Sequence, residues 1–165
     1  MRKKTKAKKI TTALLLILFP VVAFSKTTKD KTMTTFPAKH ISVTINRPSN
    51  EVYQFASNPE NLPQWAAGLA DTTLKKSGSE WVSNSPMGQV KIKFVDKNPY
   101  GVIDHDVVLP SGEVVHNPLR VVKNSVGSDV IFSLFQRTNM TEEEFNKDSE
   151  LVKKDLQKLK SILEK

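Results

Sequence analysis

The chain has 165 residues, with 25 Lys and Arg against 17 Asp and Glu and a formal net charge of +8. Its length is typical of one domain. A hydrophobic content of 38% and a charged content of 25% exclude an entirely disordered chain. Because the sequence has no cysteine, disulfides, thiolate catalysis and cysteine-based zinc sites are also excluded.

The excess positive charge lies at the beginning of the chain. Six of the Lys and Arg, and none of the Asp and Glu, fall within residues 1–25, so the remaining residues carry a net charge of only +2. Such a balanced body has no basic stripe that could attract a phosphate backbone. We therefore expect no nucleic-acid partner.

Residues 1–25 have the pattern of an export signal. A basic head precedes an apolar run of 12 residues, whereas a membrane-spanning helix needs about 20. Ala23 and Ser25 are small residues at the −3 and −1 positions of a cleavage site. We predict a signal peptide over 1–25 and a periplasmic or secreted bacterial protein, with an uncleaved anchor as the alternative. The Thr- and Lys-rich residues 26–38 predict a flexible linker.

The next segment predicts one strand followed by two short helices. Ile41, Val43 and Ile45 alternate with polar residues, which is the period of a half-buried strand. Helical spacing follows, with Ser49 interpreted as the N-cap of the first helix. A second short helical piece covers 61–69.

Consecutive strands are predicted from residue 72 to residue 137. Apolar and polar residues alternate between short turns rich in Gly, Pro, Asn and Ser, which favours an antiparallel meander. The predicted strands cover 72–76, 80–85, 89–94, 101–109, 114–122 and 129–137.

The end of the chain predicts a long helix. Thr141 and Glu144 form a capping box at its start. An apolar stripe then recurs at spacings of three and four, formed by Phe145, Ser149, Val152, Leu156, Leu159 and Leu163. We expect a helix about 35 Å long that packs on the sheet, with a coiled-coil seam as the alternative.

This order of elements resembles the START-like, or SRPBCC, superfamily of polyketide cyclases and dehydrases and lipid-transfer domains. The matching residues are the opening segment HISVTINRPSNEVYQFASNPENLPQW, and the resemblance covers about residues 40–165. It implies an α+β helix-grip fold over 39–165. In that fold a curved antiparallel sheet wraps around a long C-terminal helix, two short helices follow strand 1, and a cavity lies between sheet and helix.

The densest polar residues lie in the hairpin over 101–122. If Leu109 pairs with Glu113, apolar and charged residues separate onto opposite faces, which a half-buried sheet requires. His105 then faces inward, directly across from Asn117. The outer face carries a charged cluster of Asp104, Asp106, His116 and Arg120.

His105 and Asn117 have three interpretations. They form a structural hydrogen-bonded pair, or they orient a ligand, or His105 acts as a general acid–base. The outer cluster is interpreted as a surface ion-pair network. A metal site built on Asp104, His105 and Asp106 is disfavoured, because alternation directs His105 away from both aspartates.

Large aromatic side chains supply the remaining candidates. They either line a pocket or fill the core, and the ligand-binding candidates among them are Trp65, Trp81, Phe94 and Phe132. The sequence has no Gly-rich phosphate loop, nucleophile elbow or HExxH motif, so we predict no cofactor and no metal.

We predict an exported protein that binds a hydrophobic or amphipathic small molecule, or a lipid, rather than an enzyme. One alternative is a polyketide cyclase- or dehydratase-like enzyme that uses His105. The other is a non-catalytic interaction protein of the cell envelope.

Overall fold

A computed structural model describes residues 35–69, 72–85 and 88–165. The predicted signal peptide and residues 26–34 of the predicted linker lie outside them. The strands are β1 (Ala38–Ile45), β2 (Lys75–Ser77), β3 (Glu80–Ser85), β4 (Gly88–Phe94), β5 (His105–Val108), β6 (Val114–Asn117), β7 (Leu119–Asn124) and β8 (Gly127–Phe135). The helices are α1 (Ser49–Ala56), α2 (Leu62–Trp65) and α3 (Glu142–Leu163). The predicted α+β order, with short helices after the first strand and a long C-terminal helix, is confirmed.

All strand pairs are antiparallel, but they form two hydrogen-bonded groups. One has the order β1-β8-β7 and the other β2-β3-β4-β5-β6. The sequence predicts a single strand over 114–122, and the structure divides it at Pro118 into β6 and β7. Proline has no N–H to donate to a ladder, although the Pro118 carbonyl oxygen still accepts a hydrogen bond from the Ser133 N–H (3.0 Å).

The predicted register of the β5–β6 hairpin is confirmed. The Leu109 N–H donates to the Glu113 carbonyl oxygen at 2.9 Å. His105 lies opposite Asn117, and Asp106 lies opposite His116. A slip by one residue would have exchanged the buried and exposed faces.

The helices after β1 differ locally from the sequence prediction. Pro48, rather than Ser49, occupies the N-cap position of α1, and no side chain caps the helix. The Pro48 carbonyl oxygen accepts instead from the N–H groups of Glu51 and Val52. The helical piece predicted over 61–69 is interrupted, because α2 has only four residues and a separate 3-10 turn follows over 67–69.

The start of α3 agrees with the sequence. The Glu144 N–H donates to Thr141 Oγ1 (3.2 Å), and the Thr141 N–H donates to Glu144 Oε2 (2.8 Å), which completes the capping box. Leu156 and Leu159 are buried in one core cluster with residues of β1, β7 and β8. The helix therefore packs on the sheet, as predicted. Among the described residues, no helix has the length and hydrophobicity needed to cross a bilayer.

The C-terminal half of α3 is held by polar contacts to the end of β1 and to the segment that follows it. Arg47 Nε donates to the Leu163 carbonyl oxygen (2.7 Å). Lys160 Nζ donates to the Thr44 carbonyl oxygen (2.7 Å). Because these carbonyl and side-chain groups are paired, the position of α3 above β1 is well defined.

Candidate functional site

Three of the predicted site residues lie side by side on the inner face of the five-stranded sheet. His105 on β5 lies between Phe94 on β4 and Asn117 on β6. The rings of Phe94 and His105 are 4.9 Å apart between centroids and tilted by 33°. Strand alternation and antiparallel pairing therefore bring together residues that are 23 positions apart in the sequence.

The imidazole of His105 is half-buried, and within the described ranges only its Nδ1 has a hydrogen-bond partner. Its Nδ1 lies 3.1 Å from the Ile103 carbonyl oxygen. In the neutral ring this contact places the proton on Nδ1, and Nε2 is left as a hydrogen-bond acceptor. Burial lowers the pKa of His105, although the Ile103 contact opposes that shift.

Within the described part of the chain, no hydrogen bond joins the side chains of His105 and Asn117. The interpretation of these two residues as a hydrogen-bonded structural pair is therefore wrong. They are neighbours in register, but His105 bonds to its own strand through Ile103. Two polar side chains consequently remain on a largely apolar face with capacity to bind something else.

The lowered pKa of His105 predicts that the folded state loses stability in mild acid. The unfolded chain takes up a proton more readily than the folded one, so stability is retained above the ordinary histidine pKa and falls as pH drops below it. We expect the free energy of unfolding to decrease between about pH 7.5 and pH 5.5, and to decrease less in His105→Gln. Urea unfolding at both pH values measures this difference.

The control for the pH experiment is the comparison at pH 7.5, where the difference between His105→Gln and the wild type reports the effect of the substitution itself. An equal loss in His105→Gln and in the wild type between the two pH values would show that burial of His105 has no part in the pH dependence.

The aromatic candidates all belong to one hydrophobic cluster. Trp65 on α2 is buried within it, while Trp81, Phe94 and Phe132 are partly buried against it. Trp81 lies opposite Ile92 in the sheet. The structure thus places these side chains around a common interior, and their contact with a ligand remains a prediction.

The inner face between β3 and β6 is incompletely covered. Helix α3 packs mainly against β1. One row of apolar side chains crosses β3, β4, β5 and β6 and consists of Trp81, Ile92, Val107 and Val115. Ile92 is buried, whereas the other three are only partly buried. This row is apolar surface that a small molecule could cover.

His105 and Asn117 border different clefts. His105 and Phe94 line a small cleft of about 140 Å³ at the end of β4. Asn117 lines a cleft of about 360 Å³ beside Phe36 and Phe135, where β6, which precedes Pro118, is no longer paired with β8. The sequence predicted one shared site for these two polar residues. The break in the sheet at Pro118 creates a second cleft, which the alternation of side chains could not predict.

The outer face of the hairpin carries the predicted charged cluster. His116 Nδ1 lies 2.7 Å from Asp106 Oδ1, and Arg120 pairs with Asp104. Asp104 also accepts a hydrogen bond from the Leu119 N–H (2.9 Å). No group of three His, Asp or Glu side chains among the described residues is arranged to hold a metal ion. The cluster is a partly exposed ion-pair network.

Ser83 is a residue that the sequence analysis missed. It occupies an inward position on β3, opposite Val90, where alternation calls for an apolar side chain. Its hydroxyl is buried and has no hydrogen-bond partner among the described residues. The signal in the sequence was this exception to the alternation, two residues after Trp81.

No protein-family model matches the chain, and a search of curated proteins finds no relative. Solved structures are similar. The protein XoxI from Bacillus cereus has a TM-score of 0.61 at 16% identity, covering 76% of this chain and 94% of its own. The KanY protein has a TM-score of 0.63 at 12% identity, covering 80% of this chain and 100% of its own.

DynU16, a protein of the dynemicin biosynthetic locus, has a TM-score of 0.60 at 13% identity. The match covers 77% of this chain and 47% of DynU16. At these identities the likeness shows the fold, and function has to be argued from the site.

Proposed function

We propose that the protein, which has the helix-grip fold of the START-like (SRPBCC) superfamily, is exported and binds a hydrophobic or amphipathic small molecule. The ligand lies on the inner face of the five-stranded sheet. The observation that carries the proposal is the half-buried imidazole of His105, whose Nε2 has no hydrogen-bond partner among the described residues and lies on a largely apolar face. The fold is one that small-molecule-binding proteins share.

The residues of this face contribute to binding in two different ways. The row that contains Trp81, Val107 and Val115 supplies apolar area, at about 25 cal/mol for each Å² removed from water. His105 Nε2 accepts a hydrogen bond from a ligand hydroxyl, and the neighbouring Phe94 ring restricts where that hydroxyl can lie. A few polar groups in an apolar site are what orient a small ligand.

The proposal is tested by native mass spectrometry and calorimetry on the mature protein with a panel of lipids and hydroxylated aromatic compounds. We expect binding of at least one hydroxylated apolar compound, weakened about tenfold in His105→Leu through loss of one hydrogen bond. His116→Leu is the matched control, since His116 lies on the outer face. Absence of binding across the panel, together with a core closed to solvent in an experimental structure, would contradict the proposal.

A second candidate function is catalysis of the cyclase or dehydratase type. The unprotonated Nε2 of His105 favours it, because burial lowers the pKa and keeps the ring neutral at neutral pH, as a general base requires. Asp106, the adjacent acid, points to the opposite face and pairs with His116. Turnover of polyketide or aromatic substrates that is abolished in His105→Asn would favour catalysis over binding alone.

A further inference from the structure

The inner face of the five-stranded sheet has a polar group at each end and an apolar middle. At one end Ser83 lies opposite Val90. At the other end His105 lies opposite Phe94. Between them runs the row that contains Ile92, with Trp81, Val107 and Val115 beside it. Val90 and Phe94 are four residues apart on β4, and Ser83 and His105 lie on the strands on either side of it. The two polar ends are therefore about 13 Å apart along the strands and about 16 Å apart on the diagonal.

The hydroxyl of Ser83 is anomalous for a buried group. Ser83 is only 2% exposed, and its Oγ has no hydrogen-bond partner among the described residues. Ser128 is equally buried, but its Oγ donates to the Arg47 carbonyl oxygen at 3.1 Å. Buried polar side chains are normally paired, and one that is not calls for a specific reason.

A second buried donor lies near the same strand. Trp65 Nε1 is also buried without a partner. The turn over 67–69, which begins two residues after Trp65, packs against β3, the strand that carries Ser83. The Ser83 end of the face therefore offers an O–H donor, whereas His105 Nε2 at the other end offers an acceptor.

The donors and the acceptor define the chemistry of the ligand. A carbonyl oxygen satisfies the O–H of Ser83, and a hydroxyl satisfies His105 Nε2. A carboxylate is disfavoured at the Ser83 end, because an ionised group in a buried position requires a paired cation. Lys91, on the neighbouring strand β4, alternates to the opposite face and pairs there with Glu80.

We infer that the ligand is an elongated molecule with a hydroxyl at one end, an uncharged carbonyl at the other and an apolar middle long enough to cross the row between them. The hydroxyl donates to His105, and the carbonyl accepts from Ser83. This inference rests on the proposed function and deepens it, because it specifies the class of small molecule that the face selects.

The test compares three probes by calorimetry: methyl 10-hydroxydecanoate, which carries both groups, methyl decanoate, which carries only the ester carbonyl, and 1-decanol, which carries only the hydroxyl. We expect the bifunctional probe to bind about tenfold more tightly than either monofunctional probe. Ser83→Ala should weaken both esters about tenfold and leave 1-decanol unchanged. His105→Leu should weaken the two hydroxyl-bearing probes and leave methyl decanoate unchanged.

Controls separate this inference from folding effects and from the proposed function. Ser83→Ala removes no hydrogen bond within the described structure, so its thermal midpoint should match the wild type. Ser83→Cys provides a second variant of similar size, and Ser42→Ala, at an exposed serine of β1, should bind like the wild type. If all three probes bind with equal affinity, or if Ser83→Ala leaves the affinity for the two esters unchanged, the inference is overturned and the proposed function is not affected. If none of the three probes binds, the inference is overturned as well, and failure of the wider panel would remove the proposed function with it.

Discussion

Gly101→Ala is expected to lower the free energy of unfolding by about 2–5 kcal/mol, as the sum of two costs. Gly101 has a φ of +72°, where a residue with a side chain is strained by roughly 1–2 kcal/mol. A Cβ atom here would also lie 2.1 Å from the Val121 carbonyl oxygen. The backbone would have to move, and the hydrogen bond from the Val121 N–H to the Gly101 carbonyl oxygen (2.9 Å) would weaken.

Gly112→Ala separates the two costs. Gly112 also has a positive φ (+85°), but a Cβ atom there has no neighbour within 4 Å. It should show the conformational strain alone, roughly 1–2 kcal/mol. Urea unfolding of both variants measures the difference. If both variants lose the same free energy of unfolding, the contact between the added Cβ atom and the Val121 carbonyl oxygen adds nothing to the cost of Gly101→Ala.

Leu156→Ala is expected to destabilise the protein by about 2–5 kcal/mol. Leu156 is 1% exposed and belongs to the core cluster that joins α3 to the sheet. Truncation removes apolar contacts and leaves a cavity that the packed strands cannot fill. A urea denaturation curve at neutral pH, analysed with an unchanged m-value, gives the loss directly.

Leu151→Ala is the matched control on the same helix. Leu151 is 44% exposed, so the same substitution, with the same change in helix propensity, should alter stability by no more than about 0.5 kcal/mol. A comparable loss in both variants would mean that helix propensity, and not packing of α3 on the sheet, determines the effect.

The position of His105 opposite Asn117 in the candidate site could be predicted from the sequence. The pairing of Leu109 with Glu113 separates apolar from charged side chains, and it placed His105 opposite Asn117. Burial of one face makes the register unique, because a slip by one residue would expose every apolar side chain. The capping box at Thr141 could be predicted equally well, because Thr141 and Glu144 are only three residues apart in the sequence.

Other features of the site depend on contacts between distant segments. The sequence does not show that Ser83 lacks a partner, because partners of a buried hydroxyl come from any element folded over it. Nor does it show that His105 bonds to Ile103 and not to Asn117, although both are within reach in the register. Orientation of a side chain depends on three-dimensional packing, which periodicity does not encode.

The sequence by itself determined the order of elements, the hairpin register and the amphipathic face of α3, because hydrophobic periodicity and local hydrogen-bonding signals act over a few residues. Only the tertiary structure decided three further features. The sheet is divided at Pro118, and α3 lies over β1 and leaves part of the inner face uncovered. Ser83 Oγ and His105 Nε2 on that face have no hydrogen-bond partner in the described part of the chain. Each of these depends on which distant segments meet, and that outcome is set by the packing of the whole core.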